Sequence, residues 1–256
     1  SQVAATMGVT TNDIGDLTTA AQHMGATTAF TATQAAEGIN ILAMSGMTAT
    51  DIIAGMDKQT SLLDTTLSLA SAGALSLEQS ATYLTGAIKG FGDEASNAGY
   101  YADLMAKGAT LANTNVSQLG EALGDASATA SSYGQNAEGV TVALLRLAEA
   151  NVTGSTASTA LQAAMKNLYT PSAQAAKVMQ ELGVAAYDTS GKALEVNSVV
   201  DSLKNALEGY SDEQKAAYLN TIFGIQGLDA YNKMVAVSDE KVTSFYNGLA
   251  DASGSA

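Results

Sequence analysis

The stretch Gly25-Ala-Thr-Thr-Ala-Phe-Thr-Ala-Thr-Gln-Ala-Ala-Glu-Gly-Ile-Asn-Ile-Leu-Ala-Met-Ser-Gly46 reads as a helix end, a short loop and a capped helix. Thr31 followed by Gln34 has the spacing of a capping box, in which hydroxyl and amide satisfy helix-end backbone donors reciprocally. Phe30 stands just outside as a staple. Ala35, Ile39, Leu42 and Ala43 then recur at helical spacing, and Gly46 supplies a left-handed stop. The unit this predicts is helix, glycine, short loop, helix.

The same punctuation extends in both directions. Upstream, residues 12–24 form a helical pattern with Asn12 as cap, Ile14, Leu17 and Ala21 inward, and Gly25 as stop. Downstream, helices are expected over 49–58, on to Gly73 after a break near Lys58, over 76–91 with a Ser76/Gln79 cap pair and Gly92 as stop, and over 95–111. Asn115 and Asn136 open two more with apolar faces, the second through Val140, Leu144, Leu145 and Leu147. Residues 154–168 and 172–182 follow, with Pro171 close to a helix start and Gly183 as an end. Residues 197–208, 212–223, 227–237 and 238–251 return to helical spacing, with Ser211 and Gln214 as another cap pair. The fold class expected is therefore all-α helical hairpins, with at most one small β-hairpin near 184–196, around Asp188-Thr-Ser-Gly191.

The first half of the chain carries an internal repeat. Thr31, Gln34 and Glu37 correspond to Asn115, Gln118 and Glu121 at one constant offset, and Gly25-Ala-Thr27 lines up with Gly108-Ala-Thr110 one residue out of step, so that Gly25 and Gly108 are each expected to end a helix in left-handed geometry. The organisation expected is a first helical region over 1–134, in which 25–46 resembles 108–124. A second helical region spans 135–237, and a terminal helix with a flexible polar tail spans 238–256. A start without Met and a linker-like end read as a fragment of a longer protein.

Composition agrees with helices: 46% hydrophobic residues, 5% aromatics, no tryptophan and a single proline among 256 residues. There is no cysteine, which excludes disulfides and thiolate metal sites. Net charge is −14, and no Lys or Arg precedes Lys58, while Asp13, Asp16, Glu37, Asp51 and Asp57 all do. Binding driven by phosphate neutralisation needs clustered cations, so no nucleic-acid partner is expected.

No catalytic, cofactor or metal site is expected. His23 is the single histidine, and without a second imidazole or a thiol it reads as a helix-surface residue. The pairs Asp93-Glu94 and Asp212-Glu213 stand at helix starts, where negative charge favours the dipole. Asp188-Thr-Ser-Gly191 reads as a turn, and residues 134–139 neither follow a strand nor precede Lys-Ser/Thr as a phosphate loop would. Gly86 with Gly90, and Gly120 with Gly124, have small-xxx-small spacing and are the candidate helix-contact residues. No run approaches the ~20 apolar residues of a spanning helix.

Met24-Gly25-Ala26-Thr27-Thr28, Gly46-Met47-Thr48, Leu69-Ala-Ser-Ala-Gly73, Ala87-Ile-Lys-Gly-Phe91, Tyr101-Ala-Asp-Leu104, the run from Asn115 to Leu123, Gly154-Ser-Thr-Ala-Ser-Thr-Ala160, Leu182-Gly-Val184 and Ile222-Phe223-Gly224 together resemble the core region of phage tail tape measure proteins. The resemblance implies a structural virion protein, not an enzyme, that takes part in tail assembly, tail-length determination and genome ejection. It also implies partners among tail tube, tip or baseplate proteins and assembly chaperones, with self-association, and contact with the host membrane during ejection. The implied location is the tail tube lumen or tip after assembly in the host cytoplasm. Two alternatives stand beside it: a membrane-active helical bundle forming part of an ejection conduit, and a non-catalytic fragment of a tail-associated peptidoglycan hydrolase.

Overall fold

The structure, a computed structural model, describes residues 11–250, except the side chains of residues 11–13 and of Gln226. The expected cap at Asn12 and the polar tail over 252–256 lie outside what is described. The elements are α1 (Thr11–Thr27), α2 (Ala32–Met44), α3 (Ala49–Ile53), α4 (Leu62–Gly73), α5 (Leu77–Phe91), α6 (Ala98–Leu111), α7 (Val116–Ser132), α8 (Ala137–Glu149), α9 (Gly154–Tyr169), α10 (Ala173–Glu181), α11 (Val196–Ala206), α12 (Asp212–Val235) and α13 (Asp239–Ala250). Single 3-10 turns at Met56–Lys58 and Ala95–Asn97 precede α4 and α6.

The caps set the boundaries. Thr31 Oγ1 accepts from Gln34 N at 3.2 Å while Thr31 N donates to Gln34 Oε1 at 2.8 Å. Ser76/Gln79 and Ser211/Gln214 close the same way. Two further boxes, Thr48/Asp51 and Ser61/Asp64, use aspartate at the third position and start α3 and α4. The break expected near Lys58 lies between them. Asn115 accepts from Gln118 N at 2.9 Å but without the reciprocal bond. Gly46 and Gly92 are left-handed stops as expected, and Lys89 Nζ donates to Ser45 O, placing a cation on the C-terminal end of α2.

Gly25 and Gly108 are not stops. α1 continues past Gly25 to Thr27, α6 continues past Gly108 to Leu111, and neither glycine has positive φ. Both are places of close approach: a Cβ on Gly25 would lie 2.5 Å from Ala32 N, and one on Gly108 would lie 2.6 Å from Leu119 Cδ2. In each case the glycine lets a helix end press against the start of the next one, so its job is steric.

Buried apolar residues from Leu17 to Leu249 form one continuous core. α8 lies at its centre, touching α6, α7, α9, α11, α12 and α13, and is buried on all sides from Val140 to Ala148. A helix enclosed this way reads as apolar all round rather than on one face. α5, α7, α9 and α12 pack successively across the molecule, and α1 with α2 and α3 forms the N-terminal edge.

The small hairpin is present as one antiparallel bridge, Tyr187 to Ala193, with Asp188 N donating to Lys192 O and Leu194 N to Ala186 O, both at 2.9 Å. Asp188 Oδ1 accepts from Ser190 N and Lys192 N, closing the turn. Its base is tied down: Tyr169 OH donates to Leu194 O at 2.6 Å, and Gln135 donates to Leu194 O while accepting from Val196 N.

Candidate functional site

Gly86, Gly90, Gly120 and Gly124 all lie in the crossing of α5 over α7. The backbones nearly touch: a Cβ on Gly86 would come 3.5 Å from Gly124 Cα. A Cβ on Gly90 would overlap Ser127 Oγ and Cβ and stand 2.9 Å from Ala128 N, and one on Gly120 would meet Tyr83 Cδ2 at 2.7 Å. Polar groups add to the seam. Ser127 Oγ is placed to donate to Gly124 O at 2.6 Å or across to Gly86 O at 3.1 Å, and Tyr83 OH pairs with Ser117 Oγ at 3.2 Å. All four glycines lie where α5 and α7 of one chain approach each other.

A second constellation, not legible beforehand, surrounds Arg146. This residue is 0% exposed, on the fully enclosed α8. A buried guanidinium is tolerated only with a counter-ion and a full set of acceptors. Arg146 Nε donates to Met234 O at 2.9 Å, and its two terminal nitrogens reach Asp201 Oδ1 at 2.6 Å and Oδ2 at 3.2 Å. Asn197 extends the network by donating to Gly139 O at 2.8 Å and to Tyr246 OH at 3.0 Å, while Tyr246 OH donates to Glu195 Oε1. The phenol of Tyr246 is pushed well above its ordinary pKa by burial and then by the Glu195 hydrogen bond and charge. Tyr231 is pushed up to about 12 by burial and then by Asp201, with Arg146 opposing. The network joins α8, α11, the end of α12 and α13.

The other candidate residues are accounted for structurally. His23 is exposed on α1. Asp93 accepts from Glu94 N at 2.9 Å, Asn97 Nδ2 at 2.6 Å and Tyr101 OH at 3.1 Å, tying together the turn between α5 and α6. Burial works to raise its pKa, but those three donors outweigh it and hold the carboxyl below its ordinary value. Asp212 and Glu213 occupy the first turn of α12. Gly134 has left-handed φ after α7, and a Cβ on Gly139 would overlap Glu195, so this run serves turning and packing. Among the described residues, no group of three or more His, Asp or Glu side chains is placed to hold a metal ion. No helix among them is long and apolar enough to cross a membrane.

The chain is 32% identical over its whole length to a tape measure protein of Pneumococcus phage Dp-1, and spans 22% of that protein. It is 25% identical over 234 residues, or 90% of its length, to a probable tape measure protein of Escherichia phage P2, of which it spans 28%. No solved structure gives a significant match. The family model for phage-related minor tail proteins matches residues 18–224, which takes in most of α1, all of α2, the glycine seam, and Arg146 with Asn197 and Asp201, and on that extent the chain belongs to this family of phage tail structural proteins.

Proposed function

We propose that this chain is the folded core of a tape measure protein, acting by assembly rather than catalysis: it binds tail tube, tip or baseplate proteins and assembly chaperones in the tail lumen. The complete protein sets tail length and leaves the virion at genome ejection. The observation that carries this reading is the alignment of the whole chain with a tape measure protein. Helices with their own caps around one shared core support it, because such a unit keeps its shape within a much longer polypeptide.

Electron microscopy of phage carrying in-frame deletions tests it. Deletions in the chain outside this core should shorten tails in proportion to the residues removed. Destabilising the core itself should abolish tails rather than shorten them. Tails of unchanged length after deletions elsewhere in the gene would overturn the tape measure reading.

A further inference from the structure

The outer edge of the small hairpin carries unused backbone hydrogen-bonding groups. Tyr187 and Ala193 face each other as the non-hydrogen-bonded pair of the bridge, and their neighbours make the bonds, Leu194 N to Ala186 O and Asp188 N to Lys192 O. In such a pair each residue's own N–H and C=O point away from the facing strand, as do those of the residue two positions along. Ala185 and Tyr187 therefore aim two N–H and two C=O groups outward, and among the described residues none of the four has a hydrogen-bond partner. The side chains alternate to match: Val184 and Ala186 are buried, Ala185 and Tyr187 exposed.

This edge borders an open hollow of about 380 Å³. Residues 183–187 form one side, and Leu168, Pro171, Ala176 and Met179 form the other. Leu168 and Met179 are buried and make an apolar floor, whereas Ala176 is exposed. The edge is held in place from behind. Tyr187 OH donates to Tyr169 O at 2.9 Å, and the facing strand is fixed where Leu194 O accepts from Tyr169 OH and Gln135. The edge is thus ordered by folding itself, before any partner arrives.

Hydrogen-bond geometry selects the occupant. Outward amides and carbonyls two residues apart are matched by the backbone of an extended chain, whose groups repeat with the same period, and not by a helix, whose groups bond internally. Size selects further. Four residues of edge and one hollow fall well short of the ~1,200 Å² buried by a stable protein–protein interface, so a short linear segment fits here and a second folded copy does not. We propose that residues 184–187 are a docking edge that takes an extended segment of a partner protein as an added β-strand, with one apolar side chain of that segment seated in the hollow on Leu168 and Met179. Backbone pairing supplies the affinity, and the hollow selects a residue such as valine or leucine at one alternate position. This rests on the assembly reading and adds to it the conformation of the bound partner segment.

The test titrates the 256-residue chain with a fluorescent hexapeptide of alternating threonine and valine, and with the same peptide N-methylated at every amide, which keeps the side chains but has no donor for the edge. The unmodified peptide should bind saturably and the methylated one on the order of tenfold or more weaker. Amide hydrogen exchange at Ala185 and Tyr187 should slow in the complex. Ala185→Pro, which removes an edge donor that bonds nothing among the described residues, and Ala176→Trp, which fills the hollow from its exposed side, should each weaken binding by a similar factor. Melting curves verify folding, and if Ala185→Pro does not fold, Ala176→Trp carries the test. Equal binding of both peptides would show apolar attraction without strand pairing and overturn the proposal. Unslowed exchange at Ala185 and Tyr187, undiminished binding to Ala176→Trp, or no saturable binding at millimolar peptide would each overturn it as well. A chain that sediments as a dimer dispersed by Ala185→Pro would give the edge to a second copy and overturn the linear segment. Because only binding is read, failure here leaves the tail-length experiment untouched.

Discussion

Arg146 and Asp201 meet through two parallel nitrogen–oxygen contacts at 2.6 and 3.2 Å, with Arg146 wholly buried and the Asp201 side chain 35% exposed. The asymmetry decides which partner matters more. Without Arg146, the carboxylate can still reach water; without Asp201, the guanidinium stays enclosed with only Met234 O and Asn197 Oδ1 as acceptors. Asp201→Ala should therefore destabilise more than Arg146→Met, at the lower end of the ~3–5 kcal/mol typical of breaking a buried pair, since Asp201 keeps some contact with solvent. Urea denaturation of both variants checks this. A smaller loss for Asp201→Ala than for Arg146→Met would mean that Arg146 acts chiefly as packing volume.

Glycines in helices of this chain divide into two kinds, and alanine separates them. Gly15, on the exposed side of α1, has no atom within 4 Å of where a Cβ would stand. Gly15→Ala should gain about 0.5–1 kcal/mol from reduced chain entropy in the unfolded state. Gly90→Ala should lose about 1–3 kcal/mol, because its methyl group overlaps Ser127 and forces α5 away from α7. Paired thermal melts give the sign directly. A gain at Gly90 would show that the crossing can relax at no cost.

What could be read beforehand was what is local. A capping box spans four residues, so Thr31/Gln34, Ser76/Gln79 and Ser211/Gln214 announced their helices, and the turn at Asp188 announced the hairpin. Gly25 and Gly108 were legible as special but not in kind, because a stop and a close approach both call for glycine and the approaching residue, Ala32 or Leu119, lies on the next helix. Arg146 gave no signal at all. Its acceptors stand 51 to 88 positions along the chain, and a single cation in an apolar helix looks the same whether it faces water or the core.

Acid should weaken the fold partly through Asp93. Its folded pKa lies below the ordinary 3.8, so its ionised form is the one the native state favours. The stabilisation is present above 3.8 and is lost as pH falls through the lower folded value. Asp93→Asn removes that linkage. The variant should melt lower than the parent at neutral pH, and the gap should narrow as the solution is taken toward pH 3 or below. A gap that is constant with pH would assign the loss to geometry and not to charge.

The break in α12 yields the sharpest backbone test. Gly224 holds φ +59° and ψ −168°, a region that glycine alone enters freely, and interrupts an otherwise continuous helix from Asp212 to Val235. Ile225, just beyond, is 89% exposed, so burial of that side chain does not drive the bend. Asn167 on α9 does contribute: its Nδ2 donates to Phe223 O at 2.9 Å, satisfying a carbonyl at the break. A Cβ on Gly224 would have open space around it, so Gly224→Ala costs only backbone strain, roughly 1–3 kcal/mol. Asn167→Ala should cost about 1 kcal/mol for the lost bond. Both act on one feature, so the double variant should lose less than the two single losses combined. Chemical denaturation of the four proteins measures the coupling. Strict additivity would mean that Asn167 bonds Phe223 without holding the break open, and the kink would then belong to Gly224 alone.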